Sequence, residues 1–178
     1  MVSNMSSTKR CFLIFFVLFI LLFWDGQLSF FVNHYLPVRF NVTSQLFLMV
    51  IFSIALFSES SYTFLFLIPY GFIYDSYYFK AIGIALLLFP TLFYALSRLA
   101  KILTINTVGR VILFFLFLFC FECLSFALGH LYGLTSYPLV DFLIYQLSPT
   151  LIFNILVFSF LGNLLQRLLI FLSVDRIK

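Results

Sequence analysis

Ile68-Pro69-Tyr70-Gly71-Phe72-Ile73-Tyr74-Asp75-Ser76-Tyr77-Tyr78-Phe79-Lys80-Ala81-Ile82-Gly83 is the stretch on which the reading of this chain turns. Within sixteen residues it gathers a proline, two glycines, a carboxylate, an amine and four tyrosines. Long apolar runs flank it on both sides. In lipid, polar and helix-perturbing residues are costly unless they sit at an interface or inside protein. The stretch therefore reads as a hairpin turn between two short membrane spans.

Outward from the hairpin, composition sets the class. The chain has 178 residues, of which 64% are hydrophobic, 28 are Phe and only 9% are charged. A soluble domain carries about 25% charged residues, so no water-soluble fold could hide this much apolar surface. The reading is an all-α, polytopic integral membrane protein of the cell membrane, with residues 1–178 forming one transmembrane domain. Six spans are expected, at about 11–32, 43–58, 62–75, 79–99, 110–132 and 139–168. The purely apolar part of the second, Leu46 to Phe57, is too short to cross about 30 Å of hydrocarbon alone. Its flanking Thr43, Ser44, Gln45 and Ser58 must lie at interfaces or face protein. Pro69 and Pro90 fall inside spans, where each removes a helical hydrogen bond and is expected to kink the helix.

The basic residues orient the bundle. With the N-terminus inside, Lys9, Arg10, Arg98, Lys101, Arg110, Arg167, Arg176 and Lys178 are cytoplasmic, and only Arg39 and Lys80 are external. That asymmetry follows the positive-inside rule and gives both termini inside. A five-span arrangement would put the basic C-terminus outside. The net charge of +4 is spread along span ends. No face carries the Lys/Arg cluster that nucleic acid requires. Most tyrosines, including Tyr70, Tyr74, Tyr77 and Tyr78, fall toward the external face. There they form an interfacial belt or a collar for a partner.

Ionisable groups within spans are the default candidates for function, and Asp25, Asp75 and Glu122 are three such carboxylates. Glu122, Ser125, Gly129 and Gly133 recur on one helical face, a stripe suited to close helix approach. Glu122 on it is read as an interhelical hydrogen-bonding group or as a site facing a cavity. Gly71 and Asp75 share a face near the end of span 3. Gly71 admits a neighbouring backbone, Asp75 caps the next helix or pairs with Lys80 or Arg39, and Gly83 allows spans 3 and 4 to pack closely. Cys120-x-x-Cys123 stands without a second cysteine pair and reads as two small apolar side chains. Glu122 and His130 lie about 12 Å apart along a helix, too far to share a metal. No nucleophile elbow, His-Glu-x-x-His or phosphate-binding loop is present. The expectation is a protein that is not an enzyme and has no metal or cofactor.

A first span ending in Asp25-Gly26, a short span, then Gly71-x-x-x-Asp75 with a glycine at Gly83, and an apolar span closing on Arg98, resembles the bacterial rod shape-determining MreD family, from whose pattern the tyrosines and Pro69 of this element depart. The resemblance covers residues 11–100 in pattern and the remainder in topology. It implies a non-enzymatic membrane scaffold of the cell-wall elongation machinery. Such a scaffold would control cell shape by binding the single-span shape protein MreC and positioning peptidoglycan synthases among the membrane lipids. Asp25, Gly26, Pro69, Gly71, Asp75, Gly83 and Glu122 are then its candidates for partner binding or packing. The alternative of this size is the substrate-capture component of an energy-coupling-factor vitamin transporter, which often carries Ala-x-x-x-Ala in its first span. Cys11 to Trp24 contains no alanine.

Overall fold

The computed structural model describes residues 7–57, 61–102 and 106–172. The polar N-terminal tail before Ser7, the turn around Glu59, and the basic C-terminal residues Arg176 and Lys178 lie outside them. Among the described residues the only regular secondary structure is helix. Six helices follow one another: α1 (Ser7–Tyr35), α2 (Leu46–Phe57), α3 (Ser61–Tyr74), α4 (Ile84–Ile102), α5 (Thr107–Leu131) and α6. Helix α3 runs on into a wider π-helical turn, Asp75–Phe79. Helix α6 opens with Leu139–Asp141, widens over Phe142–Leu147 and continues as Ser148–Leu172.

Three helical segments, Phe15–Tyr35, Thr107–Leu131 and Leu139–Arg167, are long and apolar enough to cross a membrane, and Leu46–Leu56 and Ile84–Ala100 are shorter apolar helices. The chain is a multi-pass membrane protein. Its outer surface carries the side chains that lipid demands, among them Trp24, Phe30, Phe31 and Phe160, all exposed.

Helix α2 is the centre of the bundle. Its 12 residues are apolar nearly all round, and such a helix is stable only when enclosed. Every residue from Phe47 to Ala55 is buried, against α1, α4, α5 and α6. Phe52 meets Phe114 of α5 at 5.2 Å and Phe158 of α6 at 5.5 Å between ring centroids, and those two rings stack at 4.3 Å. At about 1.5 Å per residue α2 is about 18 Å long, well short of the bilayer core. The enclosing helices, and not lipid, surround it, so its length matches the protein interior rather than the membrane.

The segments joining α1 to α2, α3 to α4 and α5 to α6 gather at one end. The Asn41 N–H donates to the Tyr145 carbonyl at 2.8 Å, and a Cβ added to Gly83 would lie 3.2 Å from the Tyr132 hydroxyl. Helix α5 is closed at both termini. Asn106 Oδ1 accepts from the Gly109 N–H at 2.8 Å. At the other end Gly133, at φ +66°, lets the Leu134 N–H reach back to the Gly129 carbonyl at 2.9 Å. This is a glycine-terminated helix stop. Gly133 therefore lies beyond α5 and does not continue the Glu122–Ser125–Gly129 stripe, because its left-handed backbone ends the helix.

Candidate functional site

The hairpin of α3 and α4 is built on Gly71 and Asp75. A Cβ at Gly71 would lie 2.6 Å from Leu86 Cα and 2.9 Å from Leu86 N, so the two backbones cross in contact there. Asp75 is fully buried and caps α4. Its Oδ2 accepts from the Gly83 N–H at 2.7 Å and the Leu86 N–H at 3.2 Å, and its Oδ1 from the Ala85 N–H at 2.6 Å. A carboxylate on the first-turn N–H groups also meets the positive end of the helix dipole. Asp75 thus takes the capping role and points inward. Gly83 lies in the turn before α4, and not one turn inside that helix. It sits at φ +123°, a conformation that L side chains rarely adopt.

Three of the four hairpin tyrosines, Tyr70, Tyr74 and Tyr78, turn toward the bundle, while Tyr77 stays exposed. Tyr70 and Tyr74 are buried. The Tyr70 hydroxyl donates to the Phe15 carbonyl and the Tyr78 hydroxyl to the Leu22 carbonyl at 2.8 Å. Both rings dock on α1, and Gly26 makes room: a Cβ there would stand 3.3 Å from the Tyr78 hydroxyl and 3.4 Å from that of Tyr77. A buried phenol needs an acceptor, and helix carbonyls of α1 provide one. Pro69 lies within α3 on its exposed face, beside Ile68 and Phe72.

Asp25 repeats the Asp75 device across a larger sequence gap. From α1 its Oδ1 accepts from the Ser44 hydroxyl at 2.7 Å and the Leu46 N–H at 2.7 Å, and its Oδ2 from the Phe47 N–H at 2.8 Å. It caps α2. Asp25 is ten residues from the end of α1, about 15 Å below it. The segment after α1 must therefore descend into the bundle before α2 begins. Helix α6 secures the same descent. Asn154 Oδ1 accepts from the Gln45 N–H at 2.9 Å, its Nδ2 donates to the Thr43 carbonyl at 2.7 Å, and the Thr43 N–H donates to the Thr150 hydroxyl at 3.1 Å.

Glu122 joins this network from α5. The Gln45 side-chain amide donates to its Oε1 at 2.9 Å and the Thr43 hydroxyl at 3.2 Å. These bonds tie α5 to the segment before α2, and not to another helix as the interhelical reading of Glu122 expects. Glu122 also lines a cavity of about 760 Å3. Ser125 and Gly129 of the stripe line it as well, with Tyr74, Phe121 and Phe142 as aromatic walls. Arg39, Asn41 and Thr135 stand at its loop end. Among the described residues no group of three or more His, Cys, Asp or Glu is placed to hold a metal. Cys120 is exposed and Cys123 half-buried, both as free thiols.

The candidate carboxylates thus divide. Asp75 secures the hairpin, while Asp25 and Glu122 converge on the start of α2. Residues missed as site members are Ser44, Gln45, Thr150 and Asn154, all buried and all hydrogen-bonded. The signal available for the first two was Thr43-Ser44-Gln45 directly before an apolar run, a helix-start pattern. Thr150 and Asn154 on α6 carry no comparable local signal.

With this geometry in hand, comparison with known proteins gives two findings. The family model for rod shape-determining protein MreD matches residues 6–172. The cell shape-determining protein MreD of Streptococcus pneumoniae (strain ATCC BAA-255 / R6) is 32% identical over 140 residues, which cover 77% of this chain and 85% of that protein. No solved structure matches the chain.

Proposed function

The chain belongs to the rod shape-determining MreD family, and from that premise we propose that it is the membrane scaffold of the cell-wall elongation machinery, binding an MreC-type single-span protein and helping to position peptidoglycan synthases. Its part in cell shape and its non-enzymatic character come with the family. The partners, and the orientation with both termini in the cytoplasm, belong to the proposal.

The observation that carries the scaffold reading is how the α3–α4 hairpin is held. Gly71 locks the crossing, Asp75 locks the turn, and Tyr70 and Tyr78 tie the hairpin to α1. What remains free is an outer face of Ile68, Pro69, Phe72 and Ser76, with Tyr77 and Lys80 at the tip, all exposed. A rigid backbone presenting an apolar face with a polar tip suits a single-span helix that continues into an extracellular domain. Gly71 and Asp75 would then act on a partner through the shape of the hairpin, since neither reaches the surface.

Site-specific photocross-linking in cells tests this. A photoreactive phenylalanine at Phe72 should capture the MreC-type protein, and one at Ile152, exposed on α6, should not. Co-purification without cross-linking at Phe72 would move the contact off the hairpin. No association at all would refute the scaffold reading for this chain.

A further inference from the structure

The cavity beside Glu122 has no part in the scaffold reading, and its lining is that of a ligand site. Its volume, about 760 Å3, falls within the ~300–1,000 Å3 typical of small-molecule pockets. The walls are aromatic: Tyr74, Phe121 and Phe142 are almost wholly buried yet line it. Glu122 stands nine residues before the end of α5, so it is about 14 Å down from the loop end. Both hydrogen bonds to Glu122 end on Oε1, and both come from donors, Gln45 and Thr43. An ionised carboxylate accepts and never donates. Among the described residues no fully buried side-chain nitrogen or oxygen lacks a partner. Oε2 takes neither of those bonds, and Glu122 lines the cavity.

We propose that this cavity binds a small zwitterionic organic molecule, its ammonium end on Glu122 Oε2 between the aromatic walls and its acidic end toward Arg39. A carboxylate oxygen set among aromatic faces is the environment in which organic ammonium groups are held. Arg39 lines the same cavity from the exposed loop before α2. It disfavours a simple cation and favours a ligand whose outer end is anionic. Gln45 and Thr43 hold the carboxylate in place while leaving its second oxygen free. The proposal does not depend on any partner of the hairpin.

Thiol labelling tests it without knowledge of the natural ligand. In protein reconstituted in nanodiscs, with Cys11, Cys120 and Cys123 replaced by alanine, Ser125→Cys places a thiol on the cavity wall one turn from Glu122. Trimethylammonioethyl and sulfonatoethyl methanethiosulfonate are the two probes, each rate divided by its rate with a free thiol. The ammonium reagent should win by about tenfold, a modest demand on a charge at short range in a site shielded from bulk water. Glu122→Gln should bring the ratio close to one, and Arg39→Ala should raise it. Thr135→Cys, at the loop end, reports that the mouth is open, and a melting temperature close to the parent's reports that each variant folds. Labelling at Thr135→Cys without labelling at Ser125→Cys overturns the cavity as an accessible site, and so does labelling at neither position. A ratio near one at Ser125→Cys, or one that survives Glu122→Gln, overturns the ammonium subsite. A ratio that Arg39→Ala leaves unchanged overturns the acidic outer end.

Discussion

Replacing Asp25 tests whether a carboxylate on α1 holds the buried start of α2. The structure assigns its two oxygens separately. Oδ1 serves the Ser44 hydroxyl and the Leu46 N–H, and Oδ2 serves the Phe47 N–H alone. Asp25→Asn can keep its one oxygen at the Oδ1 position, retaining two bonds and turning an NH2 group against the Phe47 N–H. Asp25→Ala orphans both backbone donors, while the Ser44 hydroxyl can rotate to another acceptor. An orphaned buried donor costs about 1–3 kcal/mol. The expected losses are about 1–3 kcal/mol for Asn and about 2–5 kcal/mol for Ala, the latter reduced by removal of a buried charge. At about 2–4 °C per kcal/mol for a chain of this length, Asp25→Ala should lower the melting temperature in detergent by roughly 5–15 °C and Asp25→Asn by less. Thermal unfolding of the purified protein, followed by tryptophan emission from Trp24, would read this. An Ala variant within about 0.5 kcal/mol of the parent, or an Asn variant less stable than Ala, would refute the capping role.

Three further outcomes are expected. Gly71→Ala should destabilise by about 1–3 kcal/mol through overpacking, because the added Cβ meets the Leu86 backbone, which cannot rotate aside; the same melting assay checks it. Gly133→Ala has nothing within 4 Å to strike, so its cost should be purely conformational, about 1 kcal/mol, with Gly133→Asn recovering part of it. If both termini are cytoplasmic, a fluorescent protein fused after Lys178 should fold and glow, while a cysteine at Lys80 should react with an impermeant reagent applied to intact cells. Protection at Lys80 together with a dark fusion would invert the orientation.

Much of the fold was legible because lipid imposes a strict grammar. Runs of Phe and Leu, broken by Gly, Pro and charge, mark helices and turns without any knowledge of packing. The Gly71–Asp75 element was readable for the same reason: a cap and the helix it caps lie within eleven residues of each other here. The inward turn of Tyr70 and Tyr78 was not readable. A tyrosine near a span end fits an interfacial belt equally well, and only the α1 carbonyls and the close packing at Gly26 show otherwise. The expected span 79–99 runs through Gly83, because glycine within an apolar run is compatible with helix. Its positive φ is a property of the turn that Asp75 closes.

By itself, the sequence determined that this chain lives in a membrane, that it is helical, and that Asp25, Asp75 and Glu122 are carboxylates in need of partners. The physical reason is local: hydropathy, charge and helix-breaking residues act on the segment that carries them. Only the tertiary structure decided what those carboxylates do. Asp25 meets Ser44, Leu46 and Phe47, Glu122 meets Gln45 and Thr43, and Asn154 meets the same loop from more than a hundred residues away. A helix too short to cross the bilayer became the enclosed axis of the bundle because four other helices surround it and Asp25 of α1 caps its start.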